Sequence, residues 1–326
     1  MTTKLRPALR LIKTNDLSRG EWLEVRRKGI GSSDASAAVG LNPYKSPLEL
    51  WLEKTGRDEP LVKIDPKDDT HPAFYGNLLE PIVAALYTSR TGNRVRKTNA
   101  VLQHPDPAFP WALANIDREV MGDPAVSVLE CKTTGMNGAR LWKEGVPEYV
   151  QLQVMHQLAV TGKQAADVAV LVCGQELRVH RVERDDKVIA NLMELERRFW
   201  ALVESDTQPP ADGSESAATA LQALFPADSG GTKNFSEDSS LSSAFSDLVS
   251  VREAIAEKTK LEAELKQRIQ QAMGDASRAV FETGEVTWKR SKDGLVLNVE
   301  ALLKDQPDLL QRYPLVRPGS RRFIFV

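Results

Sequence analysis

The chain has 326 residues, of which 41% are hydrophobic and 27% are charged, a composition typical of globular proteins and not of disordered chains. The net charge is −2, so DNA or RNA binding would have to come from local basic patches. The two cysteines are too few for a disulfide framework or a four-cysteine iron–sulfur cluster. No apolar run reaches membrane-spanning length and no signal-peptide core is present, so we expect a cytoplasmic protein without membrane partners.

The segment from Asp16 to Gly40 predicts a helix, a basic run, a glycine turn and a short alanine-rich helix. Ser33 follows Gly31 and is placed to cap that second helix, which ends at Gly40. Helix N-termini and arginine side chains both attract phosphate, which makes Arg26 and Ser33 candidates for a phosphate pocket. On these residues alone, a capping serine and a solvated arginine are the simpler interpretation.

The next chemical candidate is Glu80. Phe74 to Thr91 predict a helix with apolar residues at helical spacing, ending before Gly92. Pro81 lies inside that helix and lacks the backbone N–H that the helix needs, so we expect a kink or a restart beside Glu80. A lone glutamate on a helix is by default a surface residue.

Residues 114–132 predict a β-hairpin, because two strand-like runs flank the turn-forming Gly122-Asp123-Pro124. Folding there brings Asp117 opposite Glu130, or one step from it. Glu130 and Lys132 then share a face, about 7 Å apart, while Cys131 points to the other face. Carboxylate and carbonyl oxygens suit Mg²⁺, and a lysine can orient or deprotonate the attacking water. On the hairpin alone, an exposed cross-strand ion pair is the commoner explanation.

The chain after the hairpin predicts a helix from Pro147 to Gly162, a buried strand over 166–174, a half-buried strand over 175–182 and a helix over 188–203. The first helix carries Gln153 and His156, and His156 is better explained as a core or surface residue than as a metal ligand. The order of these elements predicts an α/β core with a mixed sheet flanked by helices.

The composition then shifts toward Ser, Ala, Gly, Pro and Asp, which predicts a linker over residues 206–240. From Leu241 to Gly274, apolar residues at spacings of three and four predict a packed or coiled helix. An Ala279–Lys289 segment, a helix at 301–303 and a Phe323–Phe325 strand follow. We therefore expect a core domain over 1–205, a linker, and a helical and small α+β appendage over 241–326.

Five motifs occur in a fixed order along residues 20–205. They are Gly31-Ser32-Ser33-Asp34, Gly76-x-x-x-Glu80-Pro81, Asn115-Ile116-Asp117, Glu130-Cys131-Lys132 and a helix carrying Gln153. Together they resemble the lambda exonuclease or YqaJ-type viral recombinase family, within the PD-(D/E)xK nucleases. One departure is Gln157, which stands where related nucleases commonly have tyrosine.

The resemblance implies a role for each matching residue. Glu80, Asp117, Glu130 and the Cys131 carbonyl would hold Mg²⁺ or, in its place, Mn²⁺, and Lys132 would position the nucleophile. Gln153 would lie by the active site. Arg26 and Ser33 would contact a terminal 5′-phosphate, together with Asn115, which stands where some relatives have serine.

The resemblance also implies an activity and partners. It implies a 5′ to 3′ exonuclease on linear duplex DNA, which leaves 3′ single-stranded tails for phage-type recombination. It further implies a ring-shaped homotrimer, a single-strand annealing protein as partner, and a gene of phage or prophage origin in a bacterial host. A related endonuclease or nickase, and a DNA-binding recombination module without activity, remain as alternatives.

Overall fold

The computed structural model describes residues 7–15, 17–61, 65, 67–316 and 319–325. The chain forms two compact units, residues 1–226 and 227–326. The strands of the first unit are β1 (Leu9–Lys13), β2 (Arg94–Arg96), β3 (Ala100–Gln103), β4 (Leu113–Ala114), β5 (Arg118–Met121), β6 (Val128–Thr134), β7 (Ala165–Val172) and β8 (Glu176–Glu183). Its helices are α1 (Arg19–Arg27), α2 (Ala35–Ala38), α3 (Pro47–Lys54), α4 (Pro72–Thr91), α5 (Met136–Ala139), α6 (Glu148–Thr161), α7 (Asp186–Glu204) and α8 (Glu215–Leu224).

The main sheet has five strands in the order β2-β5-β6-β7-β8. Strands β6 and β7 are parallel, and the other neighbouring pairs are antiparallel. Arg118 of β5 pairs with Leu129 of β6, which confirms the predicted hairpin and brings Asp117 level with Glu130. The parallel pair requires a crossover connection, and helix α6 lies within it.

The two faces of this sheet bury different residues, because side chains alternate along a strand. Val128 and Val168 lie in a core cluster with residues of α3, α6 and α7. Leu129 and Cys131 lie in a second cluster with Tyr87 of α4. Helices thus cover both faces of a mixed sheet, and the predicted α/β fold is confirmed.

Helix α4 is one continuous element that begins after its cap His71 and ends at Gly92, whose φ is +77°. Only a residue that tolerates the left-handed region ends a helix in this way at little cost. The helix contains Pro81 without interruption, so the expected restart beside Glu80 does not occur. Burial of Val83, Ala84 and Tyr87 against the sheet offsets the hydrogen bond that Pro81 cannot make.

A second, three-stranded sheet in the order β1-β3-β4 was not expected from the sequence. Ala100, Leu102 and Ala114 of this sheet lie in the same core cluster as α6. The sheet matters for function because β4 ends directly before Asn115 and Asp117. It therefore fixes one end of the segment that carries the first predicted carboxylate.

Helix α8 forms inside the stretch that the sequence predicts as a linker. Ser214 caps it by accepting a hydrogen bond from the backbone N–H of Ala217. Ala217 and Ala220 are buried, and the Ser216 hydroxyl accepts from the backbone N–H of Ser46 at 2.7 Å. Small residues that suggest a flexible linker thus allow close packing on α3. The division into a core domain over 1–205 and an appendage over 241–326 stays a prediction.

A chain that ends at Pro226 should therefore fold and be more stable than one that ends at Asp206. The shorter chain loses α8 and exposes the face of α3 that α8 covers, which should cost about 2 kcal/mol or more. Urea unfolding followed by circular dichroism would measure the difference. Equal midpoints for the two truncated chains would show that α8 adds nothing to the first unit.

The second unit contains α9 (Ser239–Met273), a hairpin of β9 (Arg278–Phe281) and β10 (Gly284–Thr287), α10 (Val299–Asp305) and α11 (Leu309–Arg312). The predicted long helix is confirmed, whereas its packed or coiled partner stays a prediction. The expected Phe323–Phe325 strand is wrong, because the structure has no strand at these described residues. Phe325 stacks instead on Phe245, and Arg252 lies over its ring. No helix of the described chain is both long and apolar enough to span a bilayer.

Candidate active site

The centre of the candidate site is the hairpin of β5 and β6. Glu130 is almost fully buried, and the Lys132 ammonium donates to its Oε1 at 2.6 Å. Asp117 lies across the hairpin, and its Oδ2 accepts from the backbone N–H of Cys131 at 2.8 Å. The structure thus brings together the two carboxylates and the lysine that the sequence predicts on one face.

Helix α6 supplies two amides to the same carboxylate. Gln153 Nε2 donates to Glu130 Oε1 at 2.6 Å, and Gln153 Oε1 accepts from the Lys132 ammonium at 3.0 Å. Gln157 is fully buried, and its Nε2 donates to Glu130 Oε2 at 2.7 Å. Both oxygens of Glu130 are therefore fixed by side-chain donors, which holds the carboxylate in one orientation.

The charge balance of the site is set by burial and by these close contacts. Burial and the neighbouring Glu130 carboxylate raise the pKa of Asp117 to about 8. Burial opposes the charged form of Lys132, but the Glu130 carboxylate outweighs it and raises the pKa of Lys132 above its ordinary value. Lys132 is therefore an ammonium, suited to orient and to donate, and it is not suited to remove a proton.

Glu80 occupies a separate position at the edge of the site. Its Oε1 accepts from Arg118 Nη1 at 2.5 Å, and Lys97 Nζ lies 3.9 Å away. Arg118 is buried, and the same Nη1 donates to the backbone carbonyl of Asp117 at 2.6 Å. Among the described residues, no group of three or more His, Cys, Asp or Glu side chains is arranged to hold a metal ion. The three predicted carboxylates are thus not gathered into one cluster.

Cys131 contributes to the site through its backbone and not through its thiol. Its N–H holds Asp117, while its side chain packs in the cluster under α4. Burial raises the pKa of the thiol above its ordinary value, and the Asp117 and Glu130 carboxylates add to this effect. The sulfur is therefore a neutral core group on the opposite face, as the strand alternation predicts.

A second polar group lies at the predicted phosphate pocket. Arg26 Nη2 donates to the exposed Ser33 hydroxyl at 3.2 Å and to Asp34 Oδ1 at 2.5 Å, and the guanidinium lies over the Trp22 ring. The buried Lys54 ammonium donates to Asp34 Oδ2 at 2.7 Å. Burial alone would raise the pKa of Asp34, but Arg26 and Lys54 hold it far below its usual range. Two cations thus surround one carboxylate, which leaves one positive charge in excess.

The third residue of that predicted pocket has no comparable contact. Asn115 is exposed, and its backbone carbonyl lies 3.4 Å from Gln157 Nε2. The structure therefore brings Arg26 and Ser33 together, whereas Asn115 contacts Gln157, which binds Glu130. Helix α2 is a single turn after a 3₁₀ turn over Ser32–Asp34, so phosphate binding here would rest on side chains.

His156 forms a buried pair behind the site. Its Nδ1 lies 2.9 Å from Glu196 Oε1 of α7, and its Nε2 lies 2.9 Å from the Leu113 carbonyl of β4. Both His156 and Glu196 are fully buried. Two acceptors around one imidazole favour the doubly protonated ring. The pair joins α6, which carries both glutamines, to the strand that leads to Asp117.

Sequence reasoning gave no place at these sites to Gln157, Arg118, Lys54 or Glu196. Gln157 follows Gln153 by four positions, so helical spacing alone could have placed both on one face. Arg118 adjoins Asp117 but carries no pattern that points to Glu80. Lys54 is 20 residues from Asp34, and only the fold brings the two together.

Comparisons with known proteins found similar sequences and similar solved structures. The model of the YqaJ-like viral recombinase domain matches residues 21–164. The uncharacterized protein YqaJ of Bacillus subtilis (strain 168) is 36% identical over 307 residues, which cover 93% of this chain and 92% of that protein. An alkaline exonuclease from Laribacter hongkongensis is 24% identical and covers 57% of this chain and 93% of its own, with a TM-score of 0.47. A phage-related exonuclease from Haemophilus somnus 129PT is 9% identical and covers 57% of this chain and 99% of its own, with a TM-score of 0.36.

Proposed function

This chain belongs to the YqaJ-like viral recombinase family, and from that premise we propose that it is a metal-dependent deoxyribonuclease. The observation that carries the proposal is the grouping of Asp117, Glu130 and Lys132 on one face of a hairpin. We further propose that it digests one strand of linear duplex DNA from the 5′ end and leaves 3′ tails for recombination. Polarity, the trimeric ring and the annealing partner rest on the family resemblance alone.

The donor set fits a hard divalent cation. Asp117 and Glu130 are close enough that one carboxylate raises the pKa of the other, and a cation between them would remove that repulsion. These two residues, with the Cys131 carbonyl, would hold a first Mg²⁺ or Mn²⁺. Glu80, which pairs with Arg118, would serve as a further ligand only once that pair opens. When bound, the cation would supply Lewis acidity at a phosphoryl oxygen and lower the pKa of water.

The protein side chains would do the remaining work. Gln153 and Gln157 fix the Glu130 carboxylate, so that its position does not depend on the cation. The Lys132 ammonium, held between Glu130 and Gln153, would orient the attacking water and stabilise negative charge on the phosphate in the transition state. Because its pKa is raised, proton removal from water falls to another base.

The proposed activity can be tested with linear duplex DNA that is labelled at one end and then at the other. We expect release of the 5′ label with Mg²⁺ and no release with EDTA. Closed circular duplex should remain intact, because an exonuclease requires an end. Cleavage of the closed circle would instead favour the endonuclease or nickase, and no cleavage of any substrate would favour a DNA-binding module.

The assigned ligands can be tested by calorimetry. Asp117→Asn and Glu130→Gln each remove an ionisable carboxyl group while keeping the shape of the side chain, so each should weaken Mg²⁺ binding by about tenfold or more. Glu119→Gln is the control and should leave the Mg²⁺ affinity unchanged. Glu119 lies one residue after Arg118, and its carboxylate contacts Arg96 and Lys163. Unaltered Mg²⁺ affinity in the first two variants would mean that the ligands lie elsewhere.

The phosphate pocket gives a separate prediction. Charge-assisted hydrogen bonds from Arg26 to a 5′-phosphate should each contribute about 1.5 to 3 kcal/mol. The parent should therefore digest 5′-phosphorylated duplex about tenfold to a hundredfold faster than 5′-hydroxyl duplex. Arg26→Ala should largely remove this preference, and Lys54 still neutralises Asp34 in that variant.

Arg197 of α7 provides the matched control. It is an exposed arginine paired with Glu194 on its own helix, and Arg197→Ala removes the same charge outside the pocket. That variant should keep the parental preference. Equal rates on both DNA ends in the parent would exclude the pocket and weaken the case for 5′ to 3′ polarity.

A further inference from the structure

Arg118 is a buried cation beside a site that is proposed to bind another cation. Its Nη1 makes two short contacts, to Glu80 Oε1 at 2.5 Å and to the Asp117 carbonyl at 2.6 Å. One contact reaches helix α4 and the other lies on the strand segment that carries Asp117. The guanidinium therefore fixes the Glu80 carboxylate relative to the centre of the site.

Glu80 is more accessible than the residue that holds it. Its side chain is 27% exposed, whereas that of Arg118 is 7% exposed. A buried guanidinium without a carboxylate partner is strongly unfavourable, so Arg118 requires Glu80 more than Glu80 requires Arg118. Lys97, at 3.9 Å from the same oxygen, adds a second and weaker attraction on the exposed side.

The three carboxylates differ in how readily each can bind a divalent cation. Asp117 accepts from a backbone N–H, and Glu130 accepts from two glutamine amides and the Lys132 ammonium. Lys132 keeps Gln153 as a partner if a cation displaces it from Glu130, whereas the buried Arg118 would lose the Glu80 carboxylate. A ligand that must first leave such a buried cation contributes little net affinity. The absence of a three-carboxylate cluster among the described residues agrees with this.

We infer that Arg118 is a positioning residue that withholds Glu80 from the metal site, so that the free protein binds its first divalent cation with Asp117 and Glu130 as the only carboxylate ligands. This inference rests on the proposed metal-dependent function. It adds that the number of carboxylate ligands is set by an arginine of this chain.

Mg²⁺ titration of the protein without DNA tests the inference. Arg118→Met fills the same buried space without the charge and should release Glu80 as a third carboxylate ligand, tightening Mg²⁺ binding by about tenfold to a hundredfold. Arg118→Lys retains the charge and should keep the parental affinity. Adding Glu80→Gln to Arg118→Met should reverse the gain, whereas Glu80→Gln alone should leave the affinity near that of the parent.

Arg96→Met is the matched control. Arg96 of β2 pairs with Glu119 of β5 at 2.6 Å, so this variant removes an arginine–glutamate pair without touching Glu80. It should bind Mg²⁺ as the parent does. Equal tightening in Arg96→Met would show that net charge alone is responsible and would overturn the role of Arg118.

The remaining outcomes separate the two proposals. Unchanged or weaker Mg²⁺ binding in Arg118→Met overturns the inference while leaving the metal site in place. A marked loss of Mg²⁺ affinity in Glu80→Gln alone also overturns the inference. The glutamine keeps a neutral oxygen as an acceptor for Arg118, so this variant gives a second readout if Arg118→Met does not fold. A parent chain that binds no Mg²⁺ overturns both the proposed metal site and the role of Arg118.

Discussion

Lys132→Met should slow hydrolysis of duplex DNA by about 10²- to 10⁴-fold, the range in which a positioned proton donor or orienting group contributes to catalysis. Methionine keeps most of the length of the side chain but removes the ammonium that lies between Glu130 and Gln153. The two glutamines still hold Glu130 in this variant. The loss should therefore fall on the chemical step and not on the arrangement of the site.

Two measurements distinguish these effects. Single-turnover cleavage of labelled duplex in Mg²⁺ reports the chemical step, and binding to the same duplex in Ca²⁺ reports affinity without cleavage. Lys132→Met should lose cleavage in Mg²⁺ and largely keep DNA binding in Ca²⁺. Lys187→Met, on the exposed first turn of α7, should keep both. Near-parental cleavage by Lys132→Met would refute the assigned role of Lys132.

Glu196→Ala should destabilise the first unit by about 3 to 5 kcal/mol, because it removes one partner of a fully buried ion pair and leaves the other behind. His156 would lose its acceptor at Nδ1 while Nε2 still faces the Leu113 carbonyl. The cavity left by the side chain adds to the loss. Urea unfolding gives the free energy directly. A loss below about 1 kcal/mol would mean that the pair contributes no more than an exposed one.

The same pair predicts a pH dependence. Burial disfavours the charged imidazole, but Glu196 outweighs burial and raises the pKa of His156 above its ordinary value of 6.5. A group whose pKa is higher in the folded protein than in the unfolded chain stabilises the folded state. This stabilisation is complete at pH values below the unfolded-state pKa and is lost as the pH rises through the folded-state pKa. Glu196→Gln keeps an acceptor and removes the charge. The stability difference between parent and Glu196→Gln should therefore be larger at about pH 6 than at about pH 9, and a difference that grows with pH would contradict the charged pair.

The sequence predicted the parts of the site that depend on local geometry. The hairpin follows from two strand-like runs around a turn, and the shared face of Glu130 and Lys132 follows from strand alternation. The hairpin and the shared face require no knowledge of distant residues. The place of Gln153 was implied by the family resemblance alone, and the structure has this residue on α6, in the connection between β6 and the parallel strand β7.

The parts that were missed depend on contacts between distant segments. Glu80 and Arg118 are 38 residues apart, and His156 and Glu196 are 40 apart. An arginine or a glutamate in a sequence pattern typical of an exposed face is by default solvated. Whether such a residue is buried is determined only when helices pack on the sheet. The helix within the expected linker was missed for a related reason, because small residues suit both a flexible chain and a closely packed helix.

The alternation of β6 has a practical consequence for chemical labelling of this protein. Cys131 sits next to two catalytic candidates in sequence, yet its thiol is buried under α4 with a raised pKa, and only the thiolate reacts with alkylating reagents. Cys173, the second cysteine, is exposed after β7. A maleimide dye should thus attach to Cys173 in the folded protein and reach Cys131 only on unfolding. The native chain offers one reporter position away from the site and one internal probe of denaturation, without any substitution.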